Sequence, residues 1–266
     1  MSQEYEDLSS ERKLLQEQGL LPGWYTTAGY QLLKKKYLSV GETPYERYSS
    51  VAKTAAQYTD EPNVWAGKFF DVMWKGWLSP ATPVLSNMGT DKGCSVSCSG
   101  TYVGDNVHSF YEKLKENALL SKHGFGTSAY LGDIRPRGEK FGVDGKSSCV
   151  LPVLKDYITM AQKISQGSSR RGSIGLYLDV GHKDFYEVAD HLFHYPEDNN
   201  VGWIFKKEDY EKMQKGDKEA IKRYQRVMKI RSVLGRGYIM KDWTTQEQRP
   251  QMYKDKGLDV KASNLC

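Results

Sequence analysis

Four cysteines, Cys94, Cys98, Cys149 and Cys266, are the residues of this chain best suited to redox or nucleophilic chemistry. They are too sparse for a disulfide framework in a chain of 266 residues, which leaves reactive thiols in a reducing compartment as the chemistry to weigh. The ordinary role of a lone cysteine is a small buried hydrophobe, and that role is favoured for Cys94 and Cys149. Cys94 and Cys98 are spaced CxxxC without a second pair to complete four ligands, and His191 and His194 lack an acidic partner at helical spacing. No metal site is therefore expected. Three glycine-rich loops offer a different chemistry: Lys122-His123-Gly124-Phe125-Gly126-Thr127-Ser128, Arg135-Pro136-Arg137-Gly138 leading to Gly142, Gly145 and Lys146, and Ser165-Gln166-Gly167-Ser168-Ser169-Arg170-Arg171-Gly172. Glycine lets backbone N–H groups approach an anion, and arginine adds paired donors. Each loop alone is as easily a solvated turn, and none is a P-loop or a full dinucleotide fingerprint. Together, between strands and helices, they suggest a nucleotide or phosphate site.

The elements that would position these residues follow from hydrophobic periodicity. Residues 1–78 read as helical, with apolar positions at helical spacing around Leu14, Leu15 and Leu20, then Tyr30, Leu33 and Tyr37, then Val64, Phe69, Val72 and Trp77. Pro22, Gly41, Pro44 and Pro62 punctuate them. From Ser79 short strand-like runs alternate with helices. Strands are expected over 97–103, 126–134, 171–180, 201–205 and 237–241. Helices are expected over 106–122, capped by Asp105 or Asn106, over 152–164 with Pro152 in the first turn, over 183–194, and over 208–234, where there is room for two. Residues 242–266 read as mostly loop. This alternation is the pattern of parallel strands joined by crossover helices. The division expected is 1–78 helical and 79–266 α/β.

Composition sets the outer bounds. Apolar residues are 39% and charged residues 27% of the chain, which fits a globular domain, and no run approaches a membrane span. The N-terminus shows no secretory signal, so a cytoplasmic protein is expected. A formal charge of +5, spread along the chain, lacks the dense basic face of a protein that binds long nucleic acid.

Several segments, taken in order, resemble class I ribonucleotide reductase large subunits. They are Trp77-Leu78-Ser79-Pro80-Ala81-Thr82-Pro83-Val84-Leu85-Ser86-Asn87, Ser97-Cys98, Tyr102-Val103-Gly104-Asp105, Leu120-Ser121-Lys122, Gly124-Phe125-Gly126-Thr127-Ser128, Leu131-Gly132, Ile134-Arg135-Pro136-Arg137-Gly138, Ser165-Gln166-Gly167-Ser168, Arg170-Arg171-Gly172 and Ser263-Asn264-Leu265-Cys266. Order and spacing agree from about Gly19 onward. The resemblance implies an N-terminal helical domain, without the ATP cone that some members carry, followed by the first half of a ten-stranded α/β barrel. It implies a ribonucleoside-diphosphate reductase working by thiyl-radical chemistry. Cys266 would be the radical cysteine, Cys98 the first of the redox pair, and Asn264 a partner of the ribose hydroxyls. Thr82 and Ser97 would line the diphosphate or ribose side of the pocket, and the backbone at His123 and Gly124 would brush the substrate. Asp105, Asn106 and Arg135 would bind a nucleoside triphosphate effector. Ser165, Gln166 and Arg170 would belong to the loop that couples effector to substrate.

The same resemblance implies no cofactor in this chain, a radical supplied by a metal-containing small subunit, a thioredoxin- or glutaredoxin-type reductant and a dimer of large subunits. The general base, the second redox cysteine, the later barrel strands and the radical-relay tyrosines of the family have no counterpart in this sequence. A split large subunit of phage or bacterial type, completed by a second polypeptide, is therefore expected. A non-catalytic nucleotide-binding or assembly fragment is the alternative, and an unrelated parallel α/β enzyme is a remote third.

Overall fold

The computed structural model describes residues 3–166, 170–171, 173–198 and 201–263. It divides into two compact units, Met1–Ser97 and Cys98–Cys266.

The first unit contains helices α1 (Gln3–Glu17), α2 (Thr27–Lys36), α3 (Pro44–Ala56), α4 (Pro62–Trp74) and α5 (Thr82–Asn87). Their starts are set locally. Thr26 accepts from Gly29 N at 3.1 Å, Thr43 and Glu46 form a reciprocal capping box at α3, and Pro44 and Pro62 occupy first turns where a missing N–H costs nothing. Tyr30, Leu33, Tyr48, Val51, Ala52, Met73 and Leu85 are buried together. Arg47, also buried, donates to Met88 O and faces Glu42, so its charge is paired. Residues 79–97 thus belong with the helices and not with the α/β part. Leu85 on α5 fills the helical core, a tertiary effect that the change of pattern at Ser79 does not reveal.

The second unit carries β1 (Cys98–Tyr102), α6 (Val107–Lys122), β2 (Gly126–Tyr130), the hairpin β3 (Lys140–Phe141) and β4 (Gly145–Lys146), then α7 (Val150–Lys163). A second short ribbon, β5 (Ser165–Gln166) with β6 (Arg170–Arg171), precedes β7 (Ile174–Asp179), α8 (Phe185–His194) and β8 (Val201–Phe205). The unit continues through α9 (Lys207–Gln214), α10 (Lys218–Leu234), β9 (Tyr238–Lys241), α11 (Asp242–Gln248) and α12 (Gln251–Asp255). The last two helices break up the front of the stretch expected to be mostly loop, and residues 256–263 form neither helix nor strand. Both helices are short and polar, which hides them from a periodicity reading.

Five strands form one parallel sheet in the order β1-β2-β7-β8-β9. Sequential parallel order with helical crossovers is the beginning of an α/β barrel. One face packs on the helices: Ala129, Leu176, Leu178, Val201 and Trp203 meet Leu154, Phe185, Val188, Val227 and Ile230. The far face carries Tyr130, Tyr177, Ile204 and Met240, packed against Val260 and Ala262. Strands β2, β7 and β8 are buried throughout, which is why they read as continuous apolar or small runs.

The strand register places Tyr102, Tyr130, Tyr177, Gly202 and Tyr238 in one row across the far face. Gly202 is required there, because a Cβ would lie 2.2 Å from Tyr177 Cε1.

Candidate functional site

Parallel strands bring their N-terminal ends together, and three of the segments singled out in the sequence lie at that end. Cys98 opens β1 and is registered opposite Gly126, the first residue of β2. Thr101 accepts from Asn117 of α6 at 2.8 Å and so faces the helices, which puts Cys98, Gly100 and Tyr102 on the far face by the pleat. Cys98 is half-buried and is not a free thiol. His123 and Gly124 form the turn from α6 into β2. His123 N donates to Leu119 O and Leu120 O, ending the helix, and Gly124 takes φ 92°, where a side chain would be strained. The ribbon of Ser165 and Gln166 with Arg171 and Arg170, paired through the backbone, precedes β7 at the same end.

The opposite end holds a cavity of about 480 Å³, lined by Asp105, Asn106, Phe110, Arg135, Phe141 and Cys149 among others. That volume suits one small-molecule ligand. Asn106 caps α6 by accepting from Ser109 N at 2.8 Å, and Gly104 N donates to Ser109 Oγ at 2.8 Å. The sixteen-residue helix therefore presents its positive end to the cavity. Arg135 donates to Asp105 through Nε at 2.5 Å, and its guanidinium stands 5.4 Å from the Phe141 ring centroid. The cavity thus combines a helix N-terminus, a cation, a carboxylate and flat apolar walls, a combination that can hold phosphate, ribose and base.

Cys149 closes one wall. It is buried, caps α7 by accepting from Leu151 N at 3.3 Å, and has φ 94°, the one non-glycine residue with positive φ among the described residues. Burial pushes its thiol up to about 11. Arg137, from the second glycine-rich loop, does not line this cavity, although it reaches Cys149 at 3.3 Å. It forms a two-pronged pair with Glu187, at 3.0 and 2.5 Å, and that pair holds the Glu187 carboxyl below its ordinary range.

On the far face, Tyr130 donates to Asp179 at 2.6 Å, Lys261 donates to Asp133 at 2.6 Å, and Lys206 stands 3.5 Å from Asp179. Burial pushes the Asp133 carboxyl up, but the hydrogen bonds from Lys261 and Tyr102 outweigh it and leave the group below its ordinary range. A cavity of about 720 Å³ is lined by Gly100, Tyr102, Ser128, Tyr130, Tyr253 and Lys261 among others. Among the described residues, the buried Ser128 Oγ has no hydrogen-bond partner.

The structure brings Asp105, Asn106 and Arg135 together around one cavity, and gathers Cys98, His123 and Gly124 at the other end of the sheet. Thr82 and Ser97 lie in the first unit. Thr82 begins α5 and hydrogen-bonds the Tyr37 hydroxyl at 3.2 Å, and Ser97 immediately precedes Cys98. Asn264 and Cys266 lie outside the described residues, as do the side chains of Ser165, Gln166 and Arg170. Among the described residues no cluster of His, Cys, Asp or Glu could hold a metal, and no helix is long and apolar enough to cross a membrane. Sequence reasoning missed Phe141, Asp133, Tyr130, Asp179 and Lys261. The glycines around Phe141 signalled the hairpin that presents it, whereas Lys261 and Asp133 are joined only by the fold.

Comparison with known proteins gives a consistent picture. The family profile described as "Ribonucleotide reductase, all-alpha domain" matches residues 23–93, and "Ribonucleotide reductase, barrel domain" matches residues 96–200, together more than half of the chain. The chain is 34% identical over 163 residues to a ribonucleoside-diphosphate reductase subunit alpha of Helicobacter pylori, covering 60% of this chain and 20% of that one. It is 31% identical over 169 residues to the Synechocystis protein of the same description, covering 62% of this chain and 22% of that one. Among solved structures, the alpha subunit of the class Id ribonucleotide reductase of Actinobacillus ureae superposes with a TM-score of 0.79 at 32% identity, over 92% of this chain and 45% of that one. Matched regions thus span about a fifth of these two curated relatives and under half of the structural one.

Proposed function

The chain belongs to the ribonucleotide reductase large-subunit family, and from that premise we propose that it supplies the first half of a ribonucleoside-diphosphate reductase site. In this reading Cys266, as a thiyl radical, takes the 3′ hydrogen of a bound ribonucleotide and later returns it. Cys98 and a second cysteine, from the polypeptide that completes the barrel, give up two electrons and two protons to the 2′ position. The 2′ hydroxyl leaves as water and the two thiols become a disulfide. Asn264 holds the ribose hydroxyls, Thr82 and Ser97 line the diphosphate or ribose side, and the His123–Gly124 backbone meets the substrate. The radical comes from a metal-containing small subunit, and a thioredoxin- or glutaredoxin-type protein reopens the disulfide.

The cavity at Asp105, Asn106 and Arg135 takes a nucleoside triphosphate effector. Residues Ser165, Gln166 and Arg170 read it out towards the substrate, so that two ligands bias one loop. Large subunits pair as dimers in the same reading. The observation that carries it is the placement of Cys98 and the His123–Gly124 turn at one end of a parallel sheet, with the effector-sized cavity at the other.

The test is reduction of a ribonucleoside diphosphate by the chain mixed with a polypeptide carrying the rest of the barrel, a radical-generating small subunit and a thiol reductant. Turnover in the full mixture, abolished by Cys98→Ser, is the expected result. No turnover in any mixture, with nucleotide still bound at the Arg135 cavity, would replace the reading with a nucleotide-binding assembly module.

A further inference from the structure

Asp184 stands at the N-cap position of α8, where an aspartate ordinarily accepts from its own helix, yet its side chain makes no such bond. The carboxylate turns instead to a segment 34 to 47 residues earlier in the chain. Arg137 N donates to Oδ1 at 3.0 Å and to Oδ2 at 3.2 Å, and Val150 N donates to Oδ2 at 3.1 Å. Asp184 is 6% exposed, so these bonds are shielded from water. His182 adds a third tie. Its Nε2 donates to Ile134 O at 2.8 Å, while its Nδ1 accepts from Asp184 N at 3.0 Å.

The anchored positions, 134, 137 and 150, lie on the two stems of one loop. Arg135 falls between the first two, the β3–β4 hairpin with Phe141 lies beyond them, and Cys149 directly precedes the third. Arg135, Phe141 and Cys149 all line the cavity proposed to take a nucleotide. The stems also hold each other: Gly138 N donates to Ser147 O at 2.9 Å, and Ser147 Oγ donates to Arg135 O at 3.0 Å. That cross-link closes the loop on itself, whereas Asp184 ties both stems to an element outside it. The Arg137–Glu187 pair runs beside this clamp and counts for less, because its side chains are 57% and 33% exposed.

We infer that Asp184 is a positioning residue: holding both stems from the start of α8, it keeps Arg135, Phe141 and Cys149 set around the cavity before a ligand arrives. This role rests on the effector reading of that cavity and deepens it. A loop fixed beforehand spares the ligand the ordering it would otherwise have to supply, and the saving appears as affinity. Asp184→Asn keeps the shape but leaves one acceptor oxygen for two N–H donors, with its own NH2 opposing the other. One stem must then come loose.

Calorimetric titration of the chain with deoxynucleoside triphosphates, alongside amide exchange at Arg137 and Val150 by nuclear magnetic resonance, tests this. In the wild-type chain both amides should exchange slowly with or without nucleotide. Asp184→Asn should weaken binding about tenfold, the loss of one amide bond to a charged acceptor. Its two amides should exchange fast in the free chain and slowly again at saturating nucleotide, with the far-UV circular dichroism unchanged. A merely structural loss would not give that nucleotide-dependent return. His182→Phe leaves the carboxylate in place, removes the tie at Ile134, and should weaken binding about threefold. Glu187→Gln, on the exposed pair, should hold affinity within about twofold. Wild-type affinity in both Asp184→Asn and His182→Phe, or an equal loss in Glu187→Gln, overturns the positioning role and leaves the effector cavity standing. A wild-type chain that binds none of the nucleotides, with Arg137 and Val150 well protected, overturns the effector reading and the role that rests on it.

Discussion

Replacing Arg135 by methionine tests the proposed effector role of the Asp105–Arg135 cavity where its electrostatics are concentrated. The guanidinium has Nε 2.5 Å from Asp105 Oδ2 and Nη2 3.4 Å from Asp105 O, and the two side chains are 30% and 27% exposed. Methionine keeps the bulk against Phe141 and removes the charge. A charge-assisted bond to a phosphate oxygen contributes about 1.5–3 kcal/mol, and partial exposure puts this site at the lower end. Affinity for a nucleoside triphosphate should therefore fall by about tenfold to thirtyfold. The Asp105 carboxylate, left without its partner beside an incoming triphosphate, adds repulsion. The Arg135→Met/Asp105→Asn double variant should thus recover at least about threefold over Arg135→Met. Titration calorimetry of the chain with a panel of deoxynucleoside triphosphates, at two salt concentrations, reads both effects. The salt dependence should shrink with Arg135→Met, because one cation has left the site. Binding within twofold of wild type would refute the assignment of this cavity to a phosphorylated ligand.

Two further outcomes follow from packing and from a shifted thiol. Gly202→Ala puts a methyl group 2.2 Å from Tyr177 Cε1, in a strand buried throughout, and should cost about 3 kcal/mol, or roughly 6–12 °C in thermal unfolding of the second unit. Combined with Tyr177→Leu it should cost much less than the sum of the two single changes, and strict additivity in circular-dichroism melts would show that the clash is not the cause. At pH 8 the exposed Cys94 should react with iodoacetamide at least about a hundredfold faster than Cys149, because burial raises the latter's thiol to about 11. The folded thiol keeps its proton longer than the unfolded one. Its contribution to stability is therefore complete below the ordinary thiol range and is lost as pH rises towards about 11. Equal labelling of the two at pH 8, by mass spectrometry, would contradict this.

The parts of the fold that depend on local chemistry were readable from the chain. The helix over 106–122 announced itself through its periodicity and the Asn106 cap, and the five strands through short apolar runs separated by glycine. The grouping of Asp105, Asn106 and Arg135, which line one cavity, was legible because the family resemblance covers those positions. What escaped depends on contacts between distant residues. Leu85 joins the helical core only once α3 and α5 meet. Cys149, given the role of a buried hydrophobe, is buried as expected and also caps a helix from a left-handed backbone position that no sequence pattern announces. The tyrosine row exists only when four registers are known, since its members are scattered from Tyr102 to Tyr238. Lys261 finds Asp133 across 128 residues, and on sequence alone it is one cation among many in a polar stretch.

Helix α6 has an engineering consequence. Its N-terminus forms the wall of the nucleotide-sized cavity, and its C-terminus ends in the exposed His123. Sixteen residues of α-helix make a rod of about 24 Å. A rod does not absorb an axial slide, so a movement of Asn106 against a ligand is delivered at position 123. A dye attached there would lie outside the cavity and still report on what fills it, which makes this helix the natural spine of a nucleotide sensor.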